Sequence, residues 1–90
     1  MGRETTLFSS EERKDRAEVC SFLRALADRL ETGSVTLQQD KGELSLEVPE
    51  QLILEIKVED EEKSGGIQHS LEVELKWGAG IGSAGGLKLG

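Results

Sequence analysis

Between Gly33 and Ser34 the apolar residues change their spacing, from steps of three and four to steps of two. Upstream, Val19, Phe22, Leu23, Leu26, Ala27 and Leu30 fall on one stripe of a helix. Arg16, Ser21, Arg24, Asp28 and Glu31 fall on the other side, with Arg24 and Asp28 at the i,i+4 spacing of a surface ion pair. Asp15 followed by Glu18 forms a capping-box start, because the carboxylate can accept the free amide protons of the first turn. Ser9 with Glu12 is a competing start, but the stripe begins only at Val19, so the helix is predicted over 16–31. Gly33 supplies the left-handed residue that ends it.

Downstream the alternation predicts strands. Val35 and Leu37 alternate with Thr36 and Gln38, and Leu44, Leu46 and Val48 with Glu43, Ser45 and Glu47. Leu52, Leu54, Ile56 and Val58 alternate with Ile53, Glu55, Lys57 and Glu59. The run 67–77, IQHSLEVELKW, repeats the pattern and ends on the single tryptophan, Trp77. Such alternation means antiparallel strands with one covered face and one wet face. The ETTLFSSEERK stretch at 4–14 is predicted to add a further strand, with Leu7 or Phe8 inward. The expected fold is α+β: one amphipathic helix packed on one face of a 4–5-stranded antiparallel sheet. Residues 1–77 are expected to form one domain, and the glycine-rich 78–90 a flexible, mostly disordered tail.

Opposed residues in a sheet point to the same side, which constrains the pairing. Apolar positions are odd in 34–39 and even in 44–48, so paired numbers must sum to an odd value. A Lys41-Gly42 turn gives 83 and sets Val35 against Val48 and Leu37 against Leu46. For the last two strands, a Gly65-Gly66 turn gives 131 and a longer Lys63–Gly66 loop gives 129. Trp77 then lies across from Leu54 or Leu52, and His69 across from Glu62 or Asp60. Asp60-Glu61-Glu62 reads as a charged loop, and Pro49 as the break between two strands.

Phe8, FLRALADRLETG at 22–33, the alternating strands and SLEVELKW closing at Trp77 together resemble the amphi-Trp domain family. The resemblance spans residues 4–77 and leaves the glycine-rich tail outside. It implies a small α+β domain and carries no assigned activity with it.

Charge narrows the function classes. The chain of 90 residues has a net charge of −7, with all five arginines at or before Arg29 and eleven acidic against four basic residues in 34–77. Acidic surfaces repel phosphate backbones and anionic lipids, so neither nucleic acid nor membrane is an expected partner. No apolar run reaches the length of a membrane span and MGRETTLF has no signal-peptide core, so the cytoplasm is the expected compartment. Met1-Gly2 with Thr6 is weak support for an acylation start. One cysteine and one histidine make neither a disulfide nor a zinc cluster.

Gly80-Ile81-Gly82-Ser83-Ala84-Gly85 spells G-x-G-x-x-G after a strand. A dinucleotide site also needs a following helix and a distant acidic residue, and five residues supply neither, so no cofactor is expected. Beside a carboxylate, His69 can act as a proton shuttle or a pH sensor, against which stands a solvated pair near the hairpin tip. Cys20, at the margin of the helix stripe, reads more simply as a small core residue than as a reactive thiol. Trp77 reads as a lid on the helix–sheet gap, or else as an exposed anchor for a partner.

The wet face is expected to carry Glu43, Glu47, Glu55, Glu59, Glu72 and Glu74, relieved by Lys57 and Lys76. A flat sheet face does not wrap Ca²⁺ or Mg²⁺ with six to eight oxygens, so a solvated face or a basic protein partner is expected rather than a metal site. The leading expectation is therefore a non-enzymatic protein-interaction module, binding a protein or a second copy through this face or an open sheet edge. The alternative is a small-ligand or enzymatic site at the helix–sheet rim near Trp77.

Overall fold

A computed structural model describes residues 2–82 and 85–90. The chain divides into two compact units, Met1–Val48 and Pro49–Gly90. The described residues make an α+β structure of one helix and four strands, and the strands form two separate two-stranded antiparallel sheets.

In the first unit the helix α1 spans Arg16–Thr32 and begins where local chemistry predicts. Asp15 Oδ1 accepts from the Glu18 amide at 2.8 Å and Glu18 Oε1 from the Asp15 amide at 3.3 Å, a reciprocal capping box. Gly33, at φ 84°, ends the helix and donates its amide to the Leu30 carbonyl at 3.0 Å. Thr32 Oγ1 donates to the Arg29 carbonyl at 2.6 Å, which fastens the last turn. Arg24 and Asp28 form no ion pair; the i,i+4 pair of this region is Lys14 with Glu18, at 3.7 Å.

Strands β1 (Ser34–Gln39) and β2 (Gly42–Glu47) follow directly. Val35 pairs with Leu46 and Leu37 with Leu44, so the sum is 81, not 83. The turn is Asp40-Lys41, and Gly42, at φ 148°, becomes the first paired residue of β2. The Val48 amide donates to the Gly33 carbonyl at 2.8 Å, which carries the same sum of 81 one step past the paired strands. Moving the turn by one residue changes the sum by two, so every side chain keeps its face. α1 packs against β1, and Val35, 5% exposed, is buried at that junction.

The segment ahead of α1 is not a strand. Residues 2–14 have no regular structure, Leu7 is exposed and Phe8 is half-buried. Its tie to the hairpin is a side-chain bond, Gln39 Nε2 donating to the Ser9 carbonyl at 2.8 Å. Poor alternation explains the difference, since a ladder there would bury polar residues.

In the second unit β3 (Ile53–Lys63) and β4 (Gly66–Lys76) form one long ladder with the sum 129 throughout. The closing pair is Lys63 with Gly66, so only Ser64 and Gly65 remain in the turn. Asp60, Glu61 and Glu62 are strand residues, not a loop: they pair with His69, Gln68 and Ile67. Their charge hides the strand from composition, but the partner strand's alternation carries it through. Residues 48–52 between β2 and β3 are outside any strand, with Pro49 among them, where its missing donor costs no ladder bond.

Candidate functional site

The β3–β4 register sorts its side chains into two rows. Leu54 and Leu75, Ile56 and Val73, Val58 and Leu71, then Asp60 and His69, share one face. Glu55 and Glu74, Lys57 and Glu72, Glu59 and Ser70 share the other. Four of the expected carboxylates, Glu55, Glu59, Glu72 and Glu74, are therefore brought together. Glu43 and Glu47 stand on the polar face of the β1–β2 hairpin, where Gln38 Nε2 donates to Glu43 at 3.3 Å and Ser34 Oγ to Glu47 at 3.4 Å.

Two lysines thread the acidic row. Lys76 Nζ reaches Glu55 at 2.9 Å and Glu74 at 4.0 Å, while Lys57 Nζ reaches Glu72 at 3.7 Å and Glu59 at 4.0 Å. The hydrogen bond from Lys76, reinforced by its charge, holds the Glu55 carboxyl below the usual carboxylate range. The same bond holds the Lys76 ammonium above its ordinary value. Both groups remain well solvated, so the pairing orients the row more than it stabilises the fold. Among the described residues no three His, Cys, Asp or Glu side chains converge to hold a metal ion. No described helix is long and apolar enough to cross a membrane.

On the opposite face, Leu54, Val58, Leu71 and Val73 are 57–72% exposed within their unit. His69 lies across from Asp60, with Nδ1 and Oδ1 2.6 Å apart and both side chains well exposed. This is the arrangement of a solvated pair near the hairpin tip. Trp77 follows β4 and is 36% exposed; continuing the register sets it at the level of Leu52, one step beyond the last pair. Cys20 is a free, half-buried thiol on α1.

Two clefts have no signature in the sequence pattern. In the first unit, Phe8–Glu12 and Phe22 face Thr36–Lys41 across an open cleft of about 810 Å³. Only the two phenylalanines hinted at it, because the loop that forms one wall has no periodicity. In the second, Gly82 and Gly85–Leu87 return to Ile53–Ile56 and Lys76 around a cleft of about 670 Å³. Ser83 and Ala84 of the glycine motif, and Met1 of the acylation start, lie outside the described residues; Gly85–Gly90 contains no helix.

The sequence pattern of the Amphi-Trp domain matches residues 1–89. The chain belongs to the Amphi-Trp domain family. The match takes in the glycine-rich segment that the resemblance over 4–77 leaves outside, so the return of that segment toward β3 belongs to the region the family pattern covers. No curated protein and no solved structure matches this Amphi-Trp domain. Its alternating ladder ends immediately before Trp77.

Proposed function

We propose that this Amphi-Trp domain is a non-enzymatic protein-interaction module of the cytoplasm, which binds a protein, its own second copy included, through the acidic face or an open edge of its sheet. What supports it is the row Glu55, Glu59, Glu72 and Glu74 on one face of β3–β4, held in place by Lys57 and Lys76. On the face, a fixed array of one predominant sign speeds encounter with a basic surface and rejects acidic ones, so a second copy is met at the edge and not face to face. A pull-down from native lysate tests it, using the full chain, the chain ending at Trp77, and a Glu72→Gln/Glu74→Gln variant. The expected result is a protein held by the full chain and released by the double substitution or by salt. A strict monomer that retains nothing overturns the reading.

The same reading includes a fold. Residues 1–77 form one domain in which β1–β4 make a single antiparallel sheet covered on its apolar side by α1, with 78–90 as a tail. The exposed apolar residues on each element support it: Val19, Phe22 and Leu23 on α1, and Leu54, Val58, Leu71 and Val73 on the long hairpin. Surfaces of this kind are found covered in stable domains. Backbone NOEs between β2 and β3 are the expected observation, and their absence sets this fold aside.

A further inference from the structure

An edge strand offers a row of unpaired amides and carbonyls, and proteins that stay monomeric blunt it with proline, a bulge, short length, lysines or inward charge. β4 has almost none of these. It runs for 11 residues in unbroken register, pairs only with β3 among the described residues, and contains no proline. Its one lysine, Lys76, is the last residue, and its one titratable group on the apolar side, His69, is held by Asp60 of its own hairpin. β3 is the contrary case, with Asp60 and Glu62 on the apolar-side positions and Lys57 and Lys63 along its length.

Self-pairing makes the contrast sharper. Leu71 is the midpoint of β4. Antiparallel pairing about it sets Leu71 against its own copy, Val73 against His69 and Leu75 against Ile67, which continues the apolar face. On the wet face it sets Glu72 against Ser70, Glu74 against Gln68 and Lys76 against Gly66, so no like charges are opposed. The same operation on β3 about Val58 opposes Glu55 to Glu61 and sets Leu54 against Glu62. Shifting the axis to Glu72 opposes that carboxylate to itself, and shifting it to Ser70 leaves Leu75 and Lys76 without partners.

We propose that two copies of this chain associate through β4, antiparallel, with Leu71 on the two-fold axis. This rests on the interaction reading above and names its partner and its edge. The interface is isologous and closes at two copies, forming a continuous sheet in the order β3-β4-β4-β3. It uses backbone groups of the edge, so it does not depend on what covers the apolar face.

Sedimentation of the full chain and a register-specific cross-link test it. Gln68→Cys and Glu74→Cys chains, each also carrying Cys20→Ser, are mixed and mildly oxidised. Directly opposed Cβ atoms lie about 5 Å apart, close to disulfide reach, whereas two Gln68→Cys sites lie about 20 Å apart along the strands. The expected result is a dimer that cross-links 68 to 74 and not 68 to 68. Gln68→Glu, which opposes two carboxylate pairs, weakens the dimer several-fold, and added salt restores it. A monomer at every concentration, or a dimer cross-linking 68 to 68, overturns β4 pairing. If such a monomer still retains a protein from lysate, the interaction reading stands without it.

Discussion

Lys76 donates to Glu55 across the β3–β4 ladder at 2.9 Å, although the residue directly opposite Lys76 is Ile53. The lysine therefore reaches diagonally along the strand to the next carboxylate on its face. That choice leaves Glu55 and Glu74, which are directly opposed, sharing one ammonium between them. A like-charged pair opposed in a sheet is otherwise destabilising.

The bond sets a pH dependence with a definite sign. Glu55 is lowered in the fold, so its contribution is present at neutral pH and is lost as pH falls through its folded value. Lys76 is raised, so its contribution is present at neutral pH and is lost only as pH rises through its folded value. Side-chain carboxyl shifts in an NMR titration are expected to show Glu55 titrating below the usual range. Lys76→Met is expected to return it upward.

Removing the helix start is expected to lower stability directly. Asp15→Ala takes away the acceptor for the Glu18 amide and is expected to cost about 1 kcal/mol in denaturant unfolding. Asp15→Asn, which keeps an oxygen acceptor, is expected to lose much less.

Gly33 and Gly65 separate backbone conformation from space. A Cβ at Gly33 meets the Val48 carbonyl at an ordinary 3.6 Å, but φ is 84°, so Gly33→Ala is expected to cost about 1–2 kcal/mol from conformation alone. Gly65 has no positive φ and open space around its Cβ position, so Gly65→Ala is expected to be nearly neutral. Thermal unfolding of the two variants side by side reads the difference.

Two valines test how far burial extends. Val35→Ala removes the buried side chain between α1 and the β1–β2 hairpin and is expected to cost about 2 kcal/mol. Val58 is 72% exposed on its hairpin, where a substitution ordinarily changes stability by about 0.5 kcal/mol or less. With α1 covering a single sheet, as proposed, Val58→Ala is expected to cost well above that. A neutral Val58→Ala would count against the covered face.

The features legible in the sequence are those decided within a few residues or by parity. Asp15, Glu18 and Gly33 announce the helix because their partners lie within one turn. Which carboxylates share a face with Lys57 and Lys76 follows from a side-chain period of two, whatever the register. The rest depends on where a turn falls within one parity or on side-chain reach. The β1–β2 turn falls at Asp40-Lys41 rather than Lys41-Gly42, a change of two in the sum that parity cannot detect. The diagonal of Lys76 to Glu55 is invisible to any rule that counts only opposed pairs. Asp60–Glu62 read as a loop by composition, yet they pair in β3 because the strand facing them alternates.

Both ladders close through two-residue turns, and the helix is capped by its own neighbours. Every strand pair described thus joins segments adjacent in the chain, so each can zip outward from its turn without a long loop first having to close. Chains with this economy of sequence separation fold quickly, the hairpins on a timescale of about 1–10 μs and the helix faster. Each hairpin and the helix can therefore form by itself, before any contact with the rest of the chain.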